Sequence, residues 1–87
     1  MNEPELFLVT LKLEDGSFEV DMELPSQLPI GELRRRLLGI LKTLREDELS
    51  GWQTCRIEYN NRILNDDDTL LKVGAFDGSK LYLMEAE

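Results

Sequence analysis

Two neighbouring stretches of this chain alternate between hydrophobic and polar positions. From Leu6 to Leu13, the residues Phe7, Val9, Leu11 and Leu13 share one phase, with Leu8, Thr10 and Lys12 in the other. From Ser17 to Leu24, Phe18, Val20, Met22 and Leu24 alternate with Glu19, Asp21 and Glu23, making one face apolar and the other acidic. A period of two sends successive side chains to opposite faces of an extended backbone, so both stretches read as half-buried strands. Between them, Glu14-Asp15-Gly16-Ser17 contains an Asp-Gly pair, which supplies the positive φ of a tight turn. The two strands are predicted to form a β-hairpin.

The period then changes. Pro25 and Pro29 bracket a connector, and Pro29 suits a helix start while disfavouring helical geometry at Leu28. At about 100° per residue, Ile30, Leu33, Leu37, Ile40 and Leu44 fall within one arc, the stripe expected to face the core. Gly39 lies mid-helix, where it costs about 1 kcal/mol relative to Ala; it marks either a close packing contact or a weak point. The polar run from Arg45 to Gly51 is expected to end the helix.

Extended alternation resumes near Trp52 or Gln53, with Cys55, Ile57 and Tyr59 in phase against Thr54, Arg56 and Glu58. Asn60-Asn61 can take left-handed geometry and turn the chain into a short strand, Arg62-Ile63-Leu64. Asn65 to Thr69 is rich in capping residues and precedes one turn around Leu70, Leu71 and Val73. Gly74 and Asp77-Gly78 break the chain again, and Lys80 to Met84 alternates as a last strand. The order hairpin, helix, hairpin, short turn, strand predicts an α+β fold, with a mixed sheet of about five strands packed on one α-helix.

With 87 residues, the chain has room for one core, so a single domain spanning 1–87 is expected, ordered from about 6 to 84. A composition of 41% hydrophobic and 32% charged residues, without low-complexity tracts, fits a folded globule. The formal charge of −8 disfavours nucleic-acid backbones and anionic membrane surfaces. Basic or neutral protein surfaces are favoured as partners, although acidity also serves solubility alone. The acidic start MNEPEL and the lack of a long apolar run predict a cytoplasmic protein with no membrane insertion. One cysteine and no histidine leave neither an internal disulfide nor the usual zinc ligand sets, and no cofactor is expected.

The order and spacing of these elements resemble the ubiquitin-like β-grasp fold from about Leu6 to Met84. Arg56-Ile57 before a tight turn, Leu64 followed by acids, Thr69-Leu70 and Lys80-Leu81-Tyr82-Leu83 resemble ubiquitin segment by segment. The resemblance implies a sheet order of second, first, fifth, third and fourth strand, with the first and last parallel at its centre. Leu28-Pro29-Ile30 with Leu33, and Val73-Gly74-Ala75 followed by Asp77-Gly78 and Lys80-Leu81, are similar to the bacterial YukD/EsaB proteins. That family implies a cytosolic, non-enzymatic accessory of a type VII secretion system. A general ubiquitin-like adaptor is the alternative among binding proteins. A sulfur carrier or modifier is the alternative of another class, disfavoured because the chain ends Met84-Glu85-Ala86-Glu87 and not in Gly-Gly. The apolar patch by which ubiquitin is recognised would fall on Glu14, Glu58 and Met84, so ordinary ubiquitin receptors are not expected to bind.

Candidate chemistry is sparse. Cys55 lacks a histidine base, and its phase places it on the core side. Asp66-Asp67-Asp68 lack the spaced ligands of a calcium loop and read as caps. No catalytic or metal-binding residue is therefore expected. The outward phase instead sends Leu8, Thr10, Tyr82 and Met84 to one exposed surface flanked by Arg56 and Glu58, a candidate docking patch for a protein partner. Cross-strand pairing alone is the plainer explanation of these residues. A second candidate is the helix flank, where Leu38 is expected to project beside Arg35 and Lys42 and to receive an acidic or amphipathic helix. A solvated helix face is the commoner outcome there. Trp52 either packs at the core's edge or anchors a partner. Monomer and weak dimer both remain open.

Overall fold

A computed structural model describes residues 5–86. In chain order the elements are β1 (Leu6–Leu13), β2 (Glu19–Pro25), α1 (Ile30–Leu44), a one-turn α2 (Glu46–Leu49), β3 (Thr54–Tyr59), β4 (Arg62–Ile63) and β5 (Lys80–Ala86). They build a five-stranded mixed sheet in the order β2-β1-β5-β3-β4, the arrangement expected of a β-grasp fold. β1 runs antiparallel to β2 and parallel to β5, while β3 runs antiparallel to β4 and β5.

The turns follow from local chemistry. Gly16 takes φ 76°, and the Asp15 carboxylate accepts the Ser17 N–H at 2.8 Å, closing the β1–β2 hairpin. Asn60 and Asn61 both take positive φ, 55° and 64°, as expected for the tight β3–β4 turn.

Inward-facing residues of the strands meet one side of α1. Leu11, Ile30, Leu33, Leu37, Leu41, Ile57 and Leu81 are almost wholly enclosed, with Val20 and Trp52 packed partly buried against this core. Full burial of each large aliphatic side chain contributes about 1.5–3 kcal/mol. Pro29 precedes α1 without a side-chain cap. The free N–H groups of Ile30 and Gly31 are bonded instead by the main-chain oxygens of Asp68 and Asp66, at 2.8 and 2.9 Å. The stretch 65–68 thus caps the helix through its backbone. Thr69 caps the following turn as expected, its hydroxyl accepting the Lys72 N–H at 3.1 Å.

The helix differs from expectation on one flank. Leu38 is 9% exposed and belongs to the core, whereas Ile40 and Leu44 are 48% and 56% exposed. α2 follows α1 after a single residue and places the fully buried Leu49 in the same core. Leu38 and Leu41 belong to one buried cluster with Leu49, so the buried arc of α1 is turned toward Leu38 and Leu41 and away from Ile40. Leu44, in the last turn, stays exposed. Gly39 is exposed, and a Cβ built there meets nothing within 4 Å, so it is the weak point and not a packing contact.

A candidate protein-binding surface

The face of the sheet turned away from α1 is built by the outward phase of each strand. β1 and β2 contribute Leu8, Thr10 and Lys12 opposite Glu23, Asp21 and Glu19. On the other side, Thr10 stands opposite Lys80 and Lys12 opposite Tyr82. β3 then sets Arg56 against Met84 and Glu58 against Tyr82, and Ile63 of β4 lies opposite Glu58.

All six residues anticipated for this face lie on it, but they do not form one patch. Tyr82, Met84, Arg56 and Glu58 are immediate cross-strand neighbours. Thr10 is occupied, its hydroxyl donating to the Asp21 carboxylate at 2.8 Å. Leu8 stands at the far end, where its N–H donates to the Asp77 carboxylate and its carbonyl accepts the Gly78 N–H. Four residues along the sheet separate Leu8 from the level of Tyr82, roughly 13 Å at strand rise. The register brings in two residues the sequence reading omitted, Lys12 and Lys80. The result is a strip with an acidic edge on β2, lysines at the centre, and a half-buried Tyr82–Met84 pair bordered by Arg56 and Glu58.

The second anticipated surface is not formed as expected. Arg35 is exposed and Lys42 half-buried, but Leu38 between them is enclosed, so no leucine projects at the centre of that strip. The exposed apolar residues of α1 are Ile40 and Leu44.

Chemistry elsewhere is occupied by structure. Cys55 is buried, its thiol donating weakly to the Arg34 carbonyl at 3.5 Å. Burial pushes the thiol pKa up to about 11, against the pull of the Arg34 charge, so the nucleophilic thiolate is disfavoured. Arg34 forms a fork onto Asp66 at 2.9 and 3.1 Å and donates to the Thr54 hydroxyl at 2.7 Å. It thereby ties α1 to β3 and to the 65–68 stretch. The hydrogen bonds from Arg34 hold the Asp66 carboxyl below its usual range. Asp68 accepts the Asn65 N–H at 2.9 Å. Among the described residues no three Cys, Asp or Glu side chains converge as a metal site. Nothing in the sequence pattern marks Arg34 apart from Arg35 and Arg36; its partners are brought to it only by folding.

Among the described residues, no helix is long and apolar enough to cross a membrane. The backbone superposes on solved ubiquitin-like proteins. A ubiquitin of Caldiarchaeum subterraneum is 21% identical with a TM-score of 0.73, over 95% of this chain and 96% of that one. The ubiquitin-like domain of the Mycobacterium tuberculosis type VII secretion system protein EccD1 is 24% identical with a TM-score of 0.73, over 93% and 99%. The EccD5 ubiquitin-like domain from Mycobacterium xenopi is 20% identical with a TM-score of 0.78, over 97% and 98%. At these identities the likeness establishes the fold, and the protein is a ubiquitin-like β-grasp protein. No curated protein matches the chain. The family model described as WXG100 protein secretion system (Wss), protein YukD, matches residues 8–83. The chain belongs to the YukD family, a ubiquitin-like module tied to that secretion system.

Proposed function

We propose that this chain is a cytoplasmic, non-catalytic accessory of a WXG100-type (type VII) secretion system, which binds a protein component of the machine through the outer face of its sheet. The carrying observation is the half-buried Tyr82–Met84 pair, set beside Arg56 and Glu58 of β3 on the outer face of the sheet in a YukD-family chain. An aromatic ring and a thioether beside opposite charges combine desolvatable area with orienting polar groups, the anatomy of an interface centre. The buried, protonated Cys55 and the absence of histidine from the sequence support a non-catalytic role.

The test is co-purification of secretion-machine components with the chain in its native host, comparing wild type with Tyr82→Glu and Met84→Glu. Loss of those components, with melting temperatures unchanged within about 3 °C, is the expected result for surface changes. Unchanged recovery with Tyr82→Glu refutes the sheet-face assignment. Intact-mass measurement of the native protein separates the modifier alternative, which requires a thiocarboxylate or a conjugate.

A further inference from the structure

A groove opens at one end of the sheet, where the β1–β2 turn, α2 and the end of β5 meet, next to the sheet face and sharing Met84 with it. Trp52, Leu83 and Met84 line it with apolar surface, and Glu14, Asp15, Glu48 and Glu85 stand around them. No basic residue lines it. Local contacts fix the Asp15 carboxylate and the backbone that carries Glu14 and Glu48. Glu14 is fixed by its main-chain N–H, which donates to the Leu83 carbonyl at 3.0 Å. Ser17 lowers the Asp15 pKa, first through its hydroxyl and then through its N–H, which the carboxylate accepts at 2.8 Å. Glu48 rides on α2, whose end is tied to Trp52 through the Trp52 N–H and the Leu49 carbonyl at 3.0 Å. Glu85 continues the inward phase of Leu81 and Leu83 one step past the end of the core, where it is exposed. A carboxylate in the inward phase of a strand is not a core residue, and it gives this end of the sheet an acidic lip over apolar surface.

We infer that this groove binds a basic segment of a protein partner, a short stretch in which lysine or arginine flanks an aliphatic residue. Charge complementarity selects that occupant. Acidic side chains from three separate segments, the β1–β2 turn, α2 and β5, beside an apolar floor suit a chain whose aliphatic residue meets Trp52 and Met84 while its cations reach the rim. Arginine or lysine stems also pack well on an indole face. The carboxylates do not converge into a cage, which argues against a metal ion as the occupant. The inference rests on the reading of the protein as a binding module but not on Tyr82; Met84 is common to both surfaces, so Tyr82→Glu and the groove carboxylates, not Met84, separate the two.

The chain contains one tryptophan, so Trp52 emission reports the groove directly. The probe is the tryptophan-free peptide acetyl-LRKLKR-amide, with acetyl-LQQLQQ-amide as its neutral control, titrated into the full chain at about 0.15 M salt, where the Debye length is about 8 Å. Three chains are compared: wild type, the groove variant Glu14→Gln/Glu48→Gln/Glu85→Gln, and a remote variant of equal charge change at the opposite end of the sheet and helix, Glu5→Gln/Glu23→Gln/Asp67→Asn. Asp15 is left intact because its carboxylate holds the turn. The expected result is a saturable emission change with the basic peptide only, weakened roughly tenfold in the groove variant as three exposed ion pairs are lost. The remote variant is expected to shift affinity by no more than about twofold, because charges beyond a Debye length are screened. Equal weakening by both variants would trace the attraction to net charge and overturn the inference. Equal response to the neutral peptide, or no saturable response, overturns it as well. Sedimentation of the chain alone is the remaining arm: a dimer dissolved by the groove variant would make a second copy the occupant and refute the proposed one. Tyr82→Glu is expected to leave this titration unchanged, so failure here and failure of the sheet-face reading are distinguishable.

Discussion

Gly31 and Gly39 occupy the same helix, and the structure assigns opposite signs to their replacement by alanine. Gly39 is exposed with no atom within 4 Å of a built Cβ. Gly39→Ala therefore recovers the helix-propensity difference, about 1 kcal/mol, and raises the melting temperature by roughly 4–8 °C for a domain of this size. At Gly31 a Cβ would lie 3.0 Å from both Cβ and Cγ of Asp66 and 3.4 Å from its main-chain oxygen. Asp66 cannot simply turn away, because Arg34 holds its carboxylate at 2.9 and 3.1 Å. Its carbonyl also accepts the Gly31 N–H at 2.9 Å. Overpacking against a fixed neighbour costs about 1–3 kcal/mol, which exceeds the propensity gain, so Gly31→Ala is expected to destabilise by about 1 kcal/mol. Urea denaturation of both single variants measures the difference, about 2 kcal/mol in all. The same substitution made in an Asp66→Gly background isolates the clash, and there Gly31→Ala should cost about 2 kcal/mol less. If Gly31→Ala stabilises as much as Gly39→Ala, or costs the same in both backgrounds, the proposed docking of the helix start on Asp66 is wrong.

Other expectations follow from the same coordinates. Because the Asp66 carboxyl titrates below its ordinary value of 3.8, its pairing with Arg34 contributes stability above that pH and loses it as pH falls through the lower folded value. The stability gap between wild type and Arg34→Met should accordingly narrow on acidification toward about pH 2, and a gap that is constant with pH contradicts the pairing. Cys55, with its thiol pushed up to about 11, should react with a thiol reagent at neutral pH only as the chain opens, so rapid modification in native buffer would contradict its burial. Leu38→Lys places a charge in the core and is expected to cost several kcal/mol by thermal melting, whereas Ile40→Lys on the exposed flank should be tolerated within about 0.5 kcal/mol.

Alternation along the chain was sufficient to assign faces. Phe7, Val9, Leu11 and Leu13 lie inward while Leu8, Thr10 and Lys12 lie outward, because a pleated backbone leaves no other choice once one face is buried. The hairpin turns, the helix from Ile30 and the inward position of Cys55 follow from equally local rules. The sheet order came through likeness to a known fold. The slide of one strand along another did not, because a period of two is unchanged when a parallel strand shifts by two residues. Only the folded chain set Thr10 beside Lys80 and Lys12 beside Tyr82, splitting Leu8 from the Tyr82–Met84 pair.

On the helix, periodicity marked an apolar arc, but its edges were decided by what covers them. Leu38 joins the buried cluster that also holds Leu49, while Ile40 stays exposed, and no residue-by-residue property distinguishes these two aliphatic positions. Two glycines and three arginines look alike in the same way along the sequence. Their partners arrive from residues 54 and 66, distant in sequence, so Arg34 becomes a clamp and Gly31 a close approach through tertiary contact alone. Local periodicity thus determined which side of each element is wet or dry. Register, flank coverage and every long-range polar pair belonged to the packing, because those depend on where separate elements come to rest against one another.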